Sequence, residues 1–453
     1  MNNKEEVKSF IWKLVDSLRN AMFFRELEYS VVRLVFIKYA VDNYVGASTV
    51  EEMQACARAQ KMFAMRDVEN GIEFLVPILK YIDKAYGLKS ILSNFDMLNA
   101  YSYELFGYES NAQRKHATAE NFKGILRLLG TTDLEEKAEE KTLGPLLVEA
   151  LIDVIVNNSY RNGYASEHTT KPQLNKLVSE ILNVQPDDKY CDFASGVGLS
   201  TLSIVKDRYT NINIADINSL AVSTSAMLLI MAGYQNLNIK CEDTLSQFVE
   251  GLCGNKVFVD APWGIKLEKS YFNDYTDGTL AVIHKTINAY LETTDDAIAV
   301  ITLPSGPLFK SNKQAVELRS RLVNKGMLKA IISLPALKTG TTINVNLMVL
   351  TKKINDKVIF INAADNSTQS AKKYDSYGDV SLPNHLIEKI LDALFQNKTI
   401  EGFSRCVSSE ELKEKEFNFI PTVYIAPVVE EDETSIEDIN NQLSDLYKQL
   451  LGK

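Results

Sequence analysis

Residues Tyr190–Ser200 read YCDFASGVGLS: a short β-capable run closing on Asp192, two glycines, Gly196 and Gly198, and then the helical stretch LSTLSIVKD. Glycine at both positions lets the chain turn tightly and lets a ligand come close to the backbone before the helix starts. An ordinary strand-to-helix turn would look the same. What surrounds the turn has to decide.

On either side of it, short β-branched runs alternate with helical ones: KYCDF, NINIAD, LNIKCED, KVFVD, AIAVITL, LKAIISL and NLMVLTKK. That alternation predicts an α/β domain, a mostly parallel, doubly wound sheet with helices on both faces and right-handed crossovers. In such a sheet the strands end along one edge, and ligands bind there. Asp192, Asp216, Asp243 and Asp260 each close one of four successive predicted strands. Four carboxylates are therefore expected to share that edge, and Asp216 stands where an acid would bind ribose hydroxyls.

The turn lacks the third glycine of GxGxxG, since position 201 is Thr201, and it lacks the GK[ST] of a phosphate loop. Neither a pyrophosphate nor a triphosphate is well provided for. A ligand with ribose and adenine but no phosphate fits better, which points to S-adenosylmethionine. The fourth strand then runs into Asp260, Ala261, Pro262 and Trp263, beside the place of the sulfonium. An exocyclic base amine is a weak nucleophile because its lone pair is delocalised into the ring. The Asp260 carboxylate and the Ala261 carbonyl can each accept one N–H, Pro262 stiffens the turn, and the Trp263 indole can stack on an extruded base.

Composition sets the frame. The 453 residues suffice for two or three domains, and 45% hydrophobic with 24% charged residues is ordinary for a soluble globular chain. Neither a membrane-spanning run nor a signal peptide is apparent, and five scattered cysteines (Cys56, Cys191, Cys241, Cys253, Cys406) without a CxxC pair suit a reducing cytoplasm. His116, His168, His284 and His385 are isolated, so no metal site is expected. A net charge of −10 argues against coating nucleic acid by bulk attraction. Six basic residues between Lys310 and Lys329, and the acidic block EEDETSIEDIN, read most simply as solvated faces.

Residues 1–145 read as an all-α domain: Ile11, Leu14, Val15 and Leu18 follow helical spacing, Trp12 among them is most simply core, and YSVVRLVFIKYAVDNYV is apolar nearly all round. Residues 146–380 hold the α/β domain. Residues 381–453 return to helix and irregular chain, where Ile436, Ile439, Leu443, Leu446 and Leu450 form a heptad stripe suited to a partner helix.

DAPW resembles the (N/D/S)PP(Y/F/W) motif of DNA amino-methyltransferases, and DFASGVG resembles the DPACGSG turn of their adenine-N6 branch. The stretch ADINSLAVSTSAMLLIMAGYQNLNIKCEDTL, the later segments VITLPSGPLF and FNFIPTVYI, and the helical start are similar in order and spacing to the modification subunits of type I restriction-modification systems. The likeness spans nearly the whole chain. It implies a Rossmann-like class I methyltransferase domain between the helical regions and N6-adenine methylation of DNA with S-adenosylmethionine. It also implies partnership with a specificity subunit, with a restriction subunit and a second modification subunit as further candidates. By the same resemblance, Asp192, Ala194, Gly196 and Gly198 wall the methionine side of the cofactor, Asp216 binds ribose and Asp243 the adenine amine. Thr170 and Pro172 match the family's FYTP, and Asp260, Ala261, Pro262 and Trp263 form the acceptor pocket. The sequence departs from the pattern at Phe193 and Ala261, where the family has proline, and at Val197 and Leu199. A methyltransferase-like subunit kept as a DNA- or partner-binding scaffold is the rival reading; a methyltransferase acting on RNA or protein is a third.

Overall fold

The structure is a computed structural model that describes residues 3–19, 27–65, 71–93, 124–137, 142–161, 170–268, 274–337, 343–364, 382–426 and 443. The N-terminal part is helical, as its periodicity requires. Helix α1 (Lys4–Arg19) turns Ile11, Leu14, Val15 and Leu18 wholly inward, with Trp12 half-buried against the same core. Helix α2 (Leu27–Asp42) is buried along its entire length, the fate of a helix with no polar face. Its Lys38 is neutralised inside by Asp42 one turn on. Helices α3 (Val50–Met65) and α5 (Leu143–Arg161) pack against it, and α4 (Gly71–Tyr86) packs on α3.

Helix α6 (Pro172–Leu182) starts at a proline, whose fixed φ suits the first helical turn, and stops at Asn183 in the left-handed conformation. The α/β part follows: β1 (Lys189–Asp192), α7 (Leu199–Ile204), β2 (Asn211–Asp216), α8 (Ser219–Met231), β3 (Leu237–Cys241), β4 (Lys256–Val259), α9 (Gly278–Lys285), β5 (Ile298–Leu303), α10 (Gly306–Phe309), α11 (Lys313–Asn324), β6 (Leu328–Leu334), β7 (Val345–Thr351) and β8 (Lys357–Asn362). All seven strands expected from the sequence are present. With β9 (Ser404–Ser408) at one edge, the nine-stranded sheet runs β3-β2-β1-β4-β5-β7-β6-β8-β9. It is parallel from β3 to β5, while β7 lies antiparallel between β5 and β6. Strand order reverses direction between β1 and β4, the switch point at which such sheets leave a crevice.

Alternating side chains feed two cores. Tyr190, Ile214, Phe258 and Val300 face the cluster that includes the N-terminal helices and α8; Cys191, Ala215, Val257 and Ile301 face the one that includes α9 and α11. Helix α2 packs directly on α8, so the helical region is built onto the sheet through a shared apolar core.

Two expectations change. The chain after residue 381, read as helix and irregular, forms α12 (Asn384–Gln396) and then β9 (Ser404–Ser408), which pairs antiparallel with β8 as the edge strand before α13 (Ser409–Glu414). The basic run is not one solvated face either. Arg319 is 3% exposed, and its guanidinium donates to the carbonyls of Phe417, Pro307 and Lys310 at 2.7–2.9 Å, tying FNFIPTVYI to α10 and the residue that caps it. The acidic block lies outside the described residues, as do Ile436, Ile439, Leu446 and Leu450 of the heptad stripe; Leu443 is helical and 49% exposed. Among the described residues no helix is long and apolar enough to cross a membrane.

Candidate active site

The parallel pairing of β3, β2, β1 and β4 brings the ends of four strands to one edge. Asp192 and Asp216 are the last residues of β1 and β2, Asp243 lies two beyond β3, and Asp260 directly follows β4. The four carboxylates thus share the edge that the strand endings called for.

In the first turn, Gly198 has φ 82° and caps α7; a Cβ there would stand 2.4 Å from Ser225 Oγ on α8, so a side chain would force Ser225 to move and strain the backbone. Gly196 has φ 52° and the opposite surroundings: nothing lies within 4 Å of where its Cβ would be. The first glycine leaves room beside the backbone and the second lets α7 approach α8. Phe193, which stands where the family has proline, is held by other means. Its ring lies 4.5 Å from that of Tyr290, and its carbonyl accepts the Thr244 hydroxyl at 2.8 Å. The Tyr290 hydroxyl in turn donates to the Thr244 carbonyl at 2.7 Å. Aromatic packing and two hydrogen bonds here fix a turn that a proline would stiffen.

Asp192 is 2% exposed. Burial pushes its carboxyl well above the usual carboxylate range; the Ala194 N–H opposes this at 3.0 Å, while the charges of Asp216 and Asp260 reinforce it. Asp216 accepts the N–H of Gly196 and of Asn218, each at 2.9 Å. It therefore braces the glycine turn as well as facing the edge. Asp243 accepts the N–H groups of Leu245 and Ser246 at 3.1 and 3.0 Å. An edge this rich in carboxylate, open over Gly196, suits a ligand that brings positive charge and hydroxyl donors. Ile217, 69% exposed next to Asp216, adds an apolar surface that the sequence reading did not single out. Its signal was the aliphatic residue following the acid, where the strand has already ended.

Beyond the end of β4, Ala261 is buried, Pro262 exposed, and Trp263 half-buried against the core. Thr170, expected at the cofactor, donates its hydroxyl to Asp260 Oδ2 at 2.6 Å. Thr302, from the end of β5, donates to Asp260 Oδ1; it is the lone polar residue in the run IAVITL. Beyond Trp263 a groove of about 680 Å³ opens between Gly264 and Lys266 on one side and Pro304, Pro307, Lys310 and Gln314 on the other. His284 packs on Tyr275 with ring centroids 5.0 Å apart, and burial lowers its pKa. His116 and His168 lie outside the described residues. Among the described residues, no group of three or more His, Cys, Asp and Glu could hold a metal ion.

The family model for N-6 DNA methylase matches residues 149–433, more than half of the chain. Two curated relatives are type I restriction enzyme methylase subunits of Methanocaldococcus jannaschii. MjaVIII is 24% identical over 321 residues, 63% of this chain and 54% of that protein. MjaVII is 30% identical over 157 residues, 33% of this chain and 26% of that protein. The chain thus spans about half the length of the first and a quarter of the second. Among solved structures, the type I restriction-modification system methyltransferase subunit from Streptococcus thermophilus superposes with a TM-score of 0.70 at 19% identity, covering 94% of this chain and all of that one. A chain from a study of complex assembly and conformational transition in a type I system gives 0.66 at 14% identity, covering 100% of this chain and 97% of that one. Both share the fold.

Proposed function

The chain belongs to the N-6 DNA methylase family, and from that premise we propose that it transfers a methyl group from S-adenosylmethionine to N6 of adenine in DNA, as the modification subunit of a type I restriction-modification complex. The observation that carries this reading is the shared edge: four strand-end carboxylates with an open glycine turn at one end and Asp260–Trp263 at the other.

S-adenosylmethionine, when bound, supplies an electrophilic methyl group on a sulfonium. Asp192, Ala194, Gly196 and Gly198 line its methionine side, Asp216 takes the ribose hydroxyls, Asp243 the adenine amine, and Ile217 covers a face of the adenine ring. Asp260 and the Ala261 carbonyl accept the two N–H bonds of the target amine, which turns the nitrogen lone pair toward the methyl group. Trp263 stacks on the extruded adenine while Pro262 stiffens the turn. Positioning supplies much of the rate, and the Asp260 carboxylate beside the amine stabilises the positive charge that develops on nitrogen as the carbon–sulfur bond breaks. The proton that the methylated nitrogen then sheds leaves along its hydrogen bond to Asp260, so no strong general base is needed.

The groove beyond Trp263, with Lys266 exposed at its wall, suits the DNA strand on either side of the extruded base. An acidic chain gains most of its DNA affinity through assembly. A specificity subunit supplies the sequence choice in this account, with a second modification subunit and a restriction subunit completing the complex. Calorimetric titration with S-adenosylmethionine, alone and with the specificity subunit, followed by methyl transfer to DNA, tests the reading. Cofactor binding without transfer in the assembled complex would leave the scaffold instead.

A further inference from the structure

Strands β4 and β5 are parallel, with Val259 opposite Ile301. The next step along that register sets Asp260, just past the end of β4, beside Thr302, still inside β5 and 2% exposed. The Thr302 hydroxyl donates to Asp260 Oδ1, and the Thr170 hydroxyl, from the chain just ahead of α6, donates to Oδ2 at 2.6 Å. A hydroxyl has one hydrogen to give, and a carboxylate has about four lone-pair sites. Two donors on different oxygens fix the plane of the carboxylate. We propose that Thr302 is a positioning residue for methyl transfer: with Thr170 it clamps the Asp260 carboxylate in the plane in which it meets the target amine.

This rests on the methyltransferase reading, and it assigns work to a residue in neither motif. Thr302 touches neither cofactor nor acceptor in this scheme; it acts through Asp260. The titratable neighbour facing Asp260 from β1 is Asp192, which the Thr302 and Asp260 variants of this test leave in place. Buried threonine in a β-strand is otherwise unremarkable, since its branched side chain suits the strand. What separates the roles is the hydroxyl, which valine lacks at nearly the same shape.

The test uses the full chain assembled with its specificity subunit on DNA. Thr302→Val should lower kcat about tenfold with the KM for S-adenosylmethionine within about twofold of wild type, the pattern of an interaction used in the transition state. Thr302→Ser, which restores the donor, should recover most of the rate. The acidic limb of the kcat–pH profile should move to higher pH in Thr302→Val and back in Thr302→Ser, because removing a donor from a carboxylate raises its pKa. An unchanged kcat in Thr302→Val, a loss that serine does not restore, or an unmoved limb overturns the proposal. Failure of the methyltransferase reading is distinguishable, since wild type would then transfer nothing. In that event the Asp260 carboxyl resonance of ¹³C-aspartate-labelled protein, identified by its absence in Asp260→Asn, reads the clamp alone: an upward-shifted midpoint in Thr302→Val that serine reverses upholds it, and an unshifted one overturns it.

Discussion

Thr170 and Asp260, ninety residues apart in sequence, meet through a 2.6 Å hydrogen bond from the threonine hydroxyl to Oδ2. The contact joins the start of α6 to the end of β4 and puts Thr170 beside Asp260, on the side proposed for the acceptor. Thr170→Val should therefore lower kcat about ten- to a hundredfold, as expected for a bond to a charged group worth roughly 1.5–3 kcal/mol, with cofactor affinity unchanged. Calorimetry alongside turnover checks it; weakened cofactor binding at undiminished kcat would return Thr170 to the cofactor.

The two glycines of the first turn should respond oppositely. Gly198→Ala meets Ser225 Oγ at 2.4 Å and a φ of 82°, so the left-handed penalty of roughly 1–2 kcal/mol adds to overpacking of about 1–3 kcal/mol. Ser225→Ala in the same chain should restore part of the melting temperature. Gly196→Ala faces open space and should cost only the backbone term, yet weaken cofactor binding because its methyl group enters the ligand's path. Equal losses of stability in both variants would contradict the assignment.

Asp192 gives the pH dependence its sign. Its folded-state pKa is raised above the unfolded value of 3.8, chiefly by burial. The stability it contributes is complete below that value and is lost as pH rises through the folded pKa. Asp192→Asn should therefore flatten the fall in stability across the window between those two values and raise the melting temperature at neutral pH. A ligand carrying positive charge favours the ionised form, so affinity for S-adenosylmethionine should increase as pH rises through the same window. Proton release on binding, measured by calorimetry in buffers of different ionisation enthalpy, checks this. Proton uptake, or affinity that falls with rising pH, would remove Asp192 from the cofactor site.

Much of this architecture could be read in the chain itself, because its signals are local. Strands β4 to β7 are compact apolar runs, β2 and β3 alternate polar with apolar residues, and Asp192, Asp216, Asp243 and Asp260 mark where four strands end. Edge strand β9, SRCVS, has only Ser404 and Val407 buried and carries no comparable pattern. The place of β7 between β5 and β6 is a matter of long-range pairing. Arg319 looks like any other residue of a basic helix until Phe417, Pro307 and Lys310 present carbonyls to it. Thr302 is similar: threonine is a common strand residue, and only the register of β4 on β5 reveals its partner.

Trp263 and Asp260 should fail in different ways. Trp263→Ala should lose roughly 1–3 kcal/mol of base binding, and Trp263→Phe should keep most of it, because stacking needs an aromatic face more than an indole. Binding of DNA carrying a fluorescent base at the target position reports the loss. Equal binding by Trp263→Ala and wild type would make the side chain a packing residue only.

The most direct measurement is transfer of a labelled methyl group from S-adenosylmethionine to DNA by the chain assembled with its specificity subunit, on unmodified and hemimethylated targets, for wild type and Asp260→Ala. The account predicts N6-methyladenine from wild type and none from Asp260→Ala, with cofactor affinity the same in both. No transfer by wild type on either target, with S-adenosylmethionine bound, or undiminished transfer by Asp260→Ala, would contradict it.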